Sequence, residues 1–294
     1  MRMFFAGKGR APCPAFLLLA AGAALSGCSI LDPAGNRDNL LNRAANEGWR
    51  AEVTKSGRFD LFTQLRSLGP ARSLVVYIEG DGRAFLTRDR ASPDPTPLRP
   101  IGLRLALADP APDILYLARP CQYSKLASKP PCNPRYWTTA RLAPEVIAAL
   151  SSAIDRTKKK LNAKFIELVG YSGGGAAAAL VAARRPDVHR LVTVAANLDT
   201  DLWTRRLKVT AMKESLNPAE AARSIRHIPQ MHLAGSDDDI VPASIGHSFL
   251  EAAKLPAGSH YRVIEGYSHT CCWHQGWRDR IGRIRAALQR TPGS

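Results

Sequence analysis

The stretch FIELVGYSGGGAAAAL, residues 165–180, constrains the fold of this chain more than any other segment. It begins like an apolar strand and ends like an alanine-rich helix, with a dense cluster of glycines between them. Because glycine weakens both strands and helices, such a cluster needs a structural reason. A sharp strand-to-helix turn supplies one, since side chains at Gly170 and Gly174 would collide with neighbouring backbone. That turn would hold Ser172 in a strained conformation with its hydroxyl exposed.

Strand-like and helix-like segments alternate along most of the chain. Two strands are predicted within residues 49–66, and buried strands at 73–82, 113–120, 189–198, 229–238, 260–269 and directly before Ser172. The spacing of apolar residues predicts helices at 101–108, 138–161, 176–184, 243–254 and 277–290. This alternation indicates an α/β fold, with a mostly parallel sheet and helices on both faces. No internal linker interrupts it, so residues 49–294 are predicted to form one domain.

A serine hydroxyl is a weak nucleophile unless a nearby base removes its proton. Two later stretches supply candidate partners, and each follows a predicted strand. LAGSDDDIVP, residues 233–242, ends in a loop with three consecutive aspartates. EGYSHTCCW, residues 265–273, carries His269 directly after the last predicted strand. The order serine, acid, histidine is the one found when a G-x-S-x-G serine acts on a parallel sheet.

These three stretches resemble the motifs of the α/β-hydrolase family, and the resemblance covers roughly residues 49–290. Members of the family commonly show the pattern G-x-x-D-x-[IV]-V-P in the region of their sixth to eighth strands, followed by a histidine after the final strand. Gly235 to Pro242 fit that pattern. The resemblance implies that Ser172 is the nucleophile, His269 the base and Asp238 the acid that orients the base. Asp237 and Asp239 remain rivals for the acid. In this family, cap insertions occur at the position of residues 199–227. That segment is long enough only for a small cap.

The same resemblance implies an oxyanion site made of two backbone N–H groups. One belongs to Gly173, the residue after the nucleophile. The other belongs to the EGDGRAF loop, where the family often has His-Gly-x-Gly; here Glu79 replaces the histidine and the matching donor is Asp81. A carboxylate is unfavourable beside a site for negative charge, so we expect it to point away or to bind Arg83 or Arg119. Glu79 itself is expected to be a buried structural acid.

The implied activity is cleavage of carboxylic esters through an acyl-enzyme, with no cofactor. ARPCQY, residues 118–123, follows a strand at the edge of the sheet where ligands bind in such folds. Arg119 is therefore our candidate substrate-binding residue, with a structural ion pair as the alternative. Peptidase, thioesterase and acyltransferase activities on the same residues stay open. So does a non-catalytic envelope lipoprotein that binds a partner or a lipid.

Residues 1–27 have the pattern of a bacterial export signal. Three basic residues and no acidic one precede residues 15–25, an apolar run too short to cross a membrane as a helix. The following LSGC resembles a lipobox, in which Cys28 is lipidated and becomes the new N-terminus. Ser29 at the next position resembles the signal for the outer membrane. We therefore expect anchoring at its periplasmic face through a tether at residues 28–48, which includes a first helix or coil. The alternative is an ordinary secretory signal cut near Gly27.

Export makes the remaining cysteines candidates for disulfides. Cys121 and Cys132 would close a short proline-rich loop, and this is the preferred pairing. Cys271 and Cys272 are then either a vicinal bridge or free thiols, whereas crossed pairing would join two distant segments. His269 and His274 flank the adjacent cysteines and suggest a metal site. Adjacent cysteines seldom reach one zinc ion, and the chain has no C-x-x-C pair, so we predict no metal.

The chain has a formal net charge of +16. Its basic residues are scattered, with Lys158 to Lys160 as the longest run, whereas nucleic-acid-binding surfaces are clustered. We therefore predict no nucleic-acid partner. A solvated surface explains the charge, and attraction to anionic lipid headgroups is the alternative. The expected partners are a small-molecule or lipid ester and the membrane, and the protein is expected to be a monomer.

Overall fold

A computed structural model describes residues 35–69, 72–124 and 130–289, all within a unit that begins at Pro33. The predicted signal peptide and Cys28 lie outside the described residues. The strands are β1 (Arg50–Ser56), β2 (Phe59–Ser67), β3 (Ser73–Ile78), β4 (Asp113–Leu117), β5 (Phe165–Tyr171), β6 (Val188–Val194), β7 (Gln230–Gly235) and β8 (Tyr261–Ile264). The α-helices are α1 (Arg37–Asn46), α2 (Ile101–Ala108), α3 (Pro144–Leu161), α4 (Gly173–Ala182), α5 (Thr200–Leu207), α6 (Pro218–Ala221), α7 (Ala243–Ala253), α8 (Ala257–His260) and α9 (Trp277–Gln289). Short 3₁₀ turns lie at Pro134–Trp137 and Ala222–Ile225.

The strands form one eight-stranded sheet in the order β1-β2-β4-β3-β5-β6-β7-β8. β1 pairs antiparallel with β2, and β2 pairs antiparallel with β4, whereas the remaining pairs are parallel. The central strands are apolar on both faces because helices cover both faces of a parallel sheet. The predicted mostly parallel α/β sheet is confirmed. Consequently β3, β5, β7 and β8 all end at the same edge.

Helices cover the two faces of the sheet with separate apolar cores. On one face, α3, α4 and α7 pack against alternate strand residues such as Leu74 and Leu168. On the other face, α1, α2 and α9 pack against the intervening residues such as Val75 and Val169. This alternation follows from the two-residue period of a strand, which sends successive side chains to opposite faces. Trp277 at the start of α9 is fully buried in the second core.

An ion cluster fixes α9 to the sheet. Glu167 in β5 is buried, although it interrupts an apolar run. Its carboxylate accepts hydrogen bonds from Arg190 and from Arg285 of α9. Arg285 also donates to Asp109 at the end of α2. A buried charge is tolerated only when it is paired and hydrogen-bonded, so this cluster explains the acid in the strand.

The domain begins before residue 49. α1 lies within the segment predicted as a tether, yet its Leu40 and Ala44 are buried in the second core. The side chain of Asn36 accepts a hydrogen bond from the N–H of Asp38 and caps the helix. The two buried positions lie about one helical turn apart. They could not be predicted from the composition of this segment, which is polar and rich in asparagine. Residues 28–34 of the predicted tether lie outside the described residues.

Residues 199–227, where the family resemblance implies a small cap, contain α5 and α6. The Asp199 side chain accepts a hydrogen bond from the N–H of Leu202 and so begins α5. Met212, Ala222 and Ile225 are buried in the first core, so much of the segment packs beside the sheet.

The predicted helix at 138–161 begins only at Pro144, because proline suits the first position of a helix. Within the described part of the chain, no helix is long and apolar enough to cross a membrane.

Candidate active site

Ser172 occupies the turn between β5 and α4. Its φ of 53° and ψ of −126° lie outside the ordinary regions for a residue with a side chain. Such strain persists only where the surroundings hold it, and here the N–H of Ser172 donates to the Val194 carbonyl at 2.9 Å. The turn directs the serine side chain out of the sheet, where it remains partly exposed.

The glycines around Ser172 are required by close backbone contacts. A Cβ added at Gly170 would collide with the backbone of Gly174 and Gly175. A Cβ added at Gly174 would collide with the carbonyl oxygens of Ile78 and Glu79. The predicted collisions at these two positions are confirmed. Because neither glycine has a Cβ atom, α4 can begin directly against the end of β3.

His269 approaches the serine from the loop that follows β8. Its Nε2 lies 3.0 Å from the Ser172 Oγ. The His269 carbonyl accepts hydrogen bonds from the Tyr171 hydroxyl and from the Trp273 indole N–H, each at 3.0 Å. Trp273 is completely buried, so this part of the loop is anchored in the core. The imidazole is therefore held in place through its own backbone.

Asp238 lies behind the imidazole, in the loop that follows β7. Its Oδ2 is 2.9 Å from the His269 Nδ1. Its Oδ1 accepts hydrogen bonds from the N–H groups of Ile240 and Val241, at 3.0 and 2.7 Å. The Asp238 side chain is fully buried, whereas both flanking aspartates are exposed. Of the three candidate acids, only Asp238 therefore contacts the imidazole.

The three side chains form a continuous hydrogen-bonded chain from hydroxyl to imidazole to carboxylate. A carboxylate that accepts from Nδ1–H leaves Nε2 free to accept the serine proton. Asp238 can then stabilise the imidazolium that results. This arrangement is chemically suited to acyl transfer through the serine oxygen.

The loop after β3 faces the start of α4. Gly173 lies in the first turn of that helix, where a backbone N–H has no acceptor within the helix. A Cβ at Gly173 would collide with the Asp81 carboxylate, which shows that this carboxylate packs against the Gly173 Cα. Of the arrangements expected for Asp81, pointing away from the site is therefore wrong, whereas binding to Arg119 is confirmed. The carboxylate instead accepts hydrogen bonds from Arg119 at 3.2 Å and from Arg141 at 2.6 Å.

Glu79 at the end of β3 is completely buried. Its carboxylate accepts hydrogen bonds from the N–H groups of Gly80, Gly102 and Leu103. It also accepts one from the Tyr116 hydroxyl at 3.1 Å. Burial raises the pKa of Glu79, and these donors act against that rise. The carboxylate lies at the positive N-terminal end of α2 and fixes that helix to the loop that carries Asp81.

Arg119 is buried, which contradicts its prediction as a substrate-binding residue. One guanidinium nitrogen donates to Asp81, and another donates to the carbonyl of Arg141. Only 4% of the residue is exposed. Burial lowers the pKa of Arg119, and the charge of Asp81 opposes that effect. The alternative considered for Arg119, a structural ion pair, is the arrangement present.

A disulfide joins Cys121 and Cys132, whose Cα atoms are 5.7 Å apart, as the preferred pairing required. Between them, Gln122 contacts the loop after β3. Its side-chain N–H donates to the Gly80 carbonyl at 2.9 Å, and its side-chain oxygen accepts from the Arg119 N–H at 3.1 Å. Gln122 thus supports the position of Gly80 and, through Arg119, that of Asp81.

Cys271 and Cys272 are bonded to each other. Of the two patterns left open for them, the vicinal bridge is therefore the one present.

In the described ranges, no group of three or more histidine, cysteine or acidic side chains could hold a metal ion. Trp273 and Trp277 are core residues.

Two residues contact the site although no sequence pattern assigns a role to their side chains. Arg141 lies between two aromatic rings, 6.0 Å from the Phe85 centroid and 5.9 Å from that of Trp203. The Trp203 indole in turn donates to the Ile240 carbonyl beside the acid loop. Gln122 is the second such residue. Arg141 belongs to no motif, and Gln122 lies in the ARPCQY stretch without a pattern that assigns it a partner. Each contacts a segment distant in sequence.

A mostly parallel sheet with helices on both faces, and a serine at the tight turn after its central strand, define an α/β hydrolase. Residues 116–288, more than half of the chain, match the model of the Esterase family. The chain therefore belongs to that family and is a carboxylesterase-like serine hydrolase. No curated protein sequence matches it significantly.

Solved structures with related folds include several hydrolases. Est1E from Butyrivibrio proteoclasticus has a TM-score of 0.58 and 13% identity, and the match covers 83% of this chain and 100% of that one. An alpha-beta serine hydrolase homologue from Coxiella burnetii has a TM-score of 0.54 and 14% identity, covering 83% and 97%. The Pyrococcus furiosus esterase Pf2001 has a TM-score of 0.55 and 12% identity, covering 83% and 92%. At these identities the likeness shows a shared fold.

Proposed function

We propose that the protein cleaves carboxylic esters through an acyl-enzyme on Ser172. The observation that supports this most directly is the continuous contact from Ser172 through His269 to Asp238, with heavy-atom distances of 3.0 and 2.9 Å. Both distances lie within the range for proton transfer between hydrogen-bonded groups. The buried acid and the anchored imidazole add preorganisation, because neither needs to move before reaction.

In the proposed reaction, His269 Nε2 takes the hydroxyl proton while Ser172 Oγ bonds to the ester carbonyl carbon. The carbonyl electron pair moves to oxygen, and the backbone N–H groups of Gly173 and Asp81 stabilise that oxyanion. When the intermediate collapses, the alcohol leaves with the proton from His269. Water then attacks the acyl-enzyme by the same route, which releases the acid and restores Ser172. No step requires a cofactor.

A panel of p-nitrophenyl esters of increasing acyl length tests this proposal. We expect release of p-nitrophenol with saturation kinetics, preceded by a burst when deacylation is slower than acylation. A fluorophosphonate probe should label one site per chain, and mass spectrometry should place the adduct on the peptide that contains Ser172. Parallel assays with thioesters and peptide amides separate the esterase from the other hydrolase activities. Absence of both ester turnover and labelling would favour a non-catalytic lipoprotein.

We also propose that the protein is exported and anchored to the outer membrane through Cys28, on the basis of the N-terminal pattern alone. In a bacterial host that processes lipoproteins, Cys28→Ala should move the protein from the membrane fraction to the soluble fraction. It should also abolish incorporation of a labelled fatty acid. Cys13→Ala is the matched control, because that cysteine lies within the predicted signal, and it should leave both readouts intact. Membrane retention of Cys28→Ala would contradict lipid anchoring.

A further inference from the structure

The loop that carries Asp81 presents an electrostatic problem for the proposed reaction. The Asp81 carboxylate packs against Gly173, directly beside the nucleophile. It is also near enough to His269 for the two side chains to interact electrostatically. An unscreened negative charge there would oppose formation of an oxyanion, since the two like charges would repel in a partly buried site.

Two arginines surround this carboxylate. Arg141 contacts one of its oxygens at 2.6 Å, and Arg119 contacts the other at 3.2 Å. The side chains are 10%, 5% and 17% exposed for Arg141, Arg119 and Asp81, so solvent screens them little. Burial opposes ionisation of Asp81, but the charges of Arg141 and Arg119 outweigh it and lower the pKa of Asp81. The group therefore consists of two cations around one anion.

Arg141 is itself held on several sides. Its Nε donates to the Thr138 carbonyl at 2.7 Å. Its own carbonyl accepts a hydrogen bond from Arg119. The rings of Phe85 and Trp203 flank its guanidinium group. A guanidinium fixed in this way can set the orientation of the carboxylate that it binds.

We infer that Arg141 is a positioning residue for the oxyanion site: it holds and neutralises the Asp81 carboxylate, so that the backbone N–H of Asp81 serves the oxyanion. The inference rests on the proposed function, because it assumes that Ser172 forms the tetrahedral intermediate. Arg141 does not contact the reacting atoms in this scheme. Its effect reaches them through Asp81 and the loop after β3.

A double-mutant cycle tests the inference. In Arg141→Gln the carboxylate loses its closer cation, so we expect kcat per titrated active site to fall about 10- to 100-fold, with KM changed less than about threefold. Adding Asp81→Asn to that variant removes the charge that needed neutralising and keeps the backbone donor. The double variant should therefore recover about tenfold in kcat relative to Arg141→Gln. Counting active sites with the fluorophosphonate probe excludes unfolded molecules from kcat.

Two further variants make the outcome decisive. Arg141→Lys keeps the charge and should retain more kcat than Arg141→Gln. Arg135→Gln is the matched control, because Arg135 is an exposed, ion-paired arginine of the same segment, bonded to Glu145 and Glu214. It should keep native kcat.

The inference is overturned if Arg141→Gln keeps native kcat. It is equally overturned if the double variant is no faster than Arg141→Gln, which is what a merely structural role predicts. Failure of the proposed function is a separate result, because the native protein would then show neither ester turnover nor labelling of Ser172.

Discussion

Ser172→Ala is expected to lower kcat for p-nitrophenyl esters by about 10⁴- to 10⁶-fold, because no acyl-enzyme can form without the serine oxygen. Residual turnover would come from water attacking an ester bound at the oxyanion site. Labelling by the fluorophosphonate probe should disappear completely. The fold should persist, since the hydroxyl contributes one hydrogen bond, to His269, in a partly exposed position. Initial rates, labelling and thermal unfolding measured on the same preparations check these expectations.

Ser224→Ala is a suitable control for this variant. Ser224 is exposed, and its hydroxyl donates only to the Ala221 carbonyl at the end of α6. The control should keep native turnover and labelling. If Ser172→Ala also kept them, the nucleophile would be another residue and the proposed mechanism would have to be abandoned.

Four loops meet at one edge of the sheet to build this site. The proposed nucleophile follows β5, the proposed acid follows β7, the proposed base follows β8 and the proposed second oxyanion donor follows β3. Because these strands are parallel, their carboxyl ends lie at the same edge, where ligands bind in open α/β sheets. The fold thus brings together residues that are widely separated in sequence without requiring a long excursion of any loop.

Much of this could be predicted from the sequence, because the constraints are local. The strand-to-helix turn needs glycine at Gly170 because of its own backbone, whereas Gly174 is required because β3 ends against it. The strands and helices follow from apolar periodicity within short windows. The contact between Asp238 and His269 could be anticipated because each residue lies at the carboxyl end of a predicted strand, and such ends meet at one edge of a parallel sheet.

The support of the oxyanion loop could not be predicted in this way. Arg141 meets Asp81 across 60 positions, and it is one of 41 basic residues with no motif to distinguish it. Gln122 contacts Gly80 across 42 positions. Arg119 directly follows β4, but its side-chain partners Asp81 and Arg141 lie 38 and 22 positions away. These contacts arise from tertiary packing, and the periodicity of apolar residues in the sequence does not predict them.

Asp238→Asn is expected to lower kcat by about 10³- to 10⁴-fold while leaving the fold intact. The reason lies in the two backbone N–H groups of Ile240 and Val241, which both donate to the same carboxylate oxygen. In the variant they would hold the amide oxygen in that position. The amide NH₂ would then face His269 Nδ1 and require that nitrogen to accept. Nε2 would carry the ring proton and could not take one from Ser172.

Asp237→Asn and Asp239→Asn are matched controls, because each makes the same chemical change at an exposed neighbouring position. Both should keep kcat within about threefold of the native value, since an exposed charge is screened by solvent. Ester kinetics across the three variants, with active sites titrated by the probe, therefore assign the acid. A large loss in either control with native turnover in Asp238→Asn would move the acid to that neighbour. It would also imply that the loop after β7 rearranges when substrate binds, because Asp238 is the one of the three aspartates that contacts the imidazole in this structure.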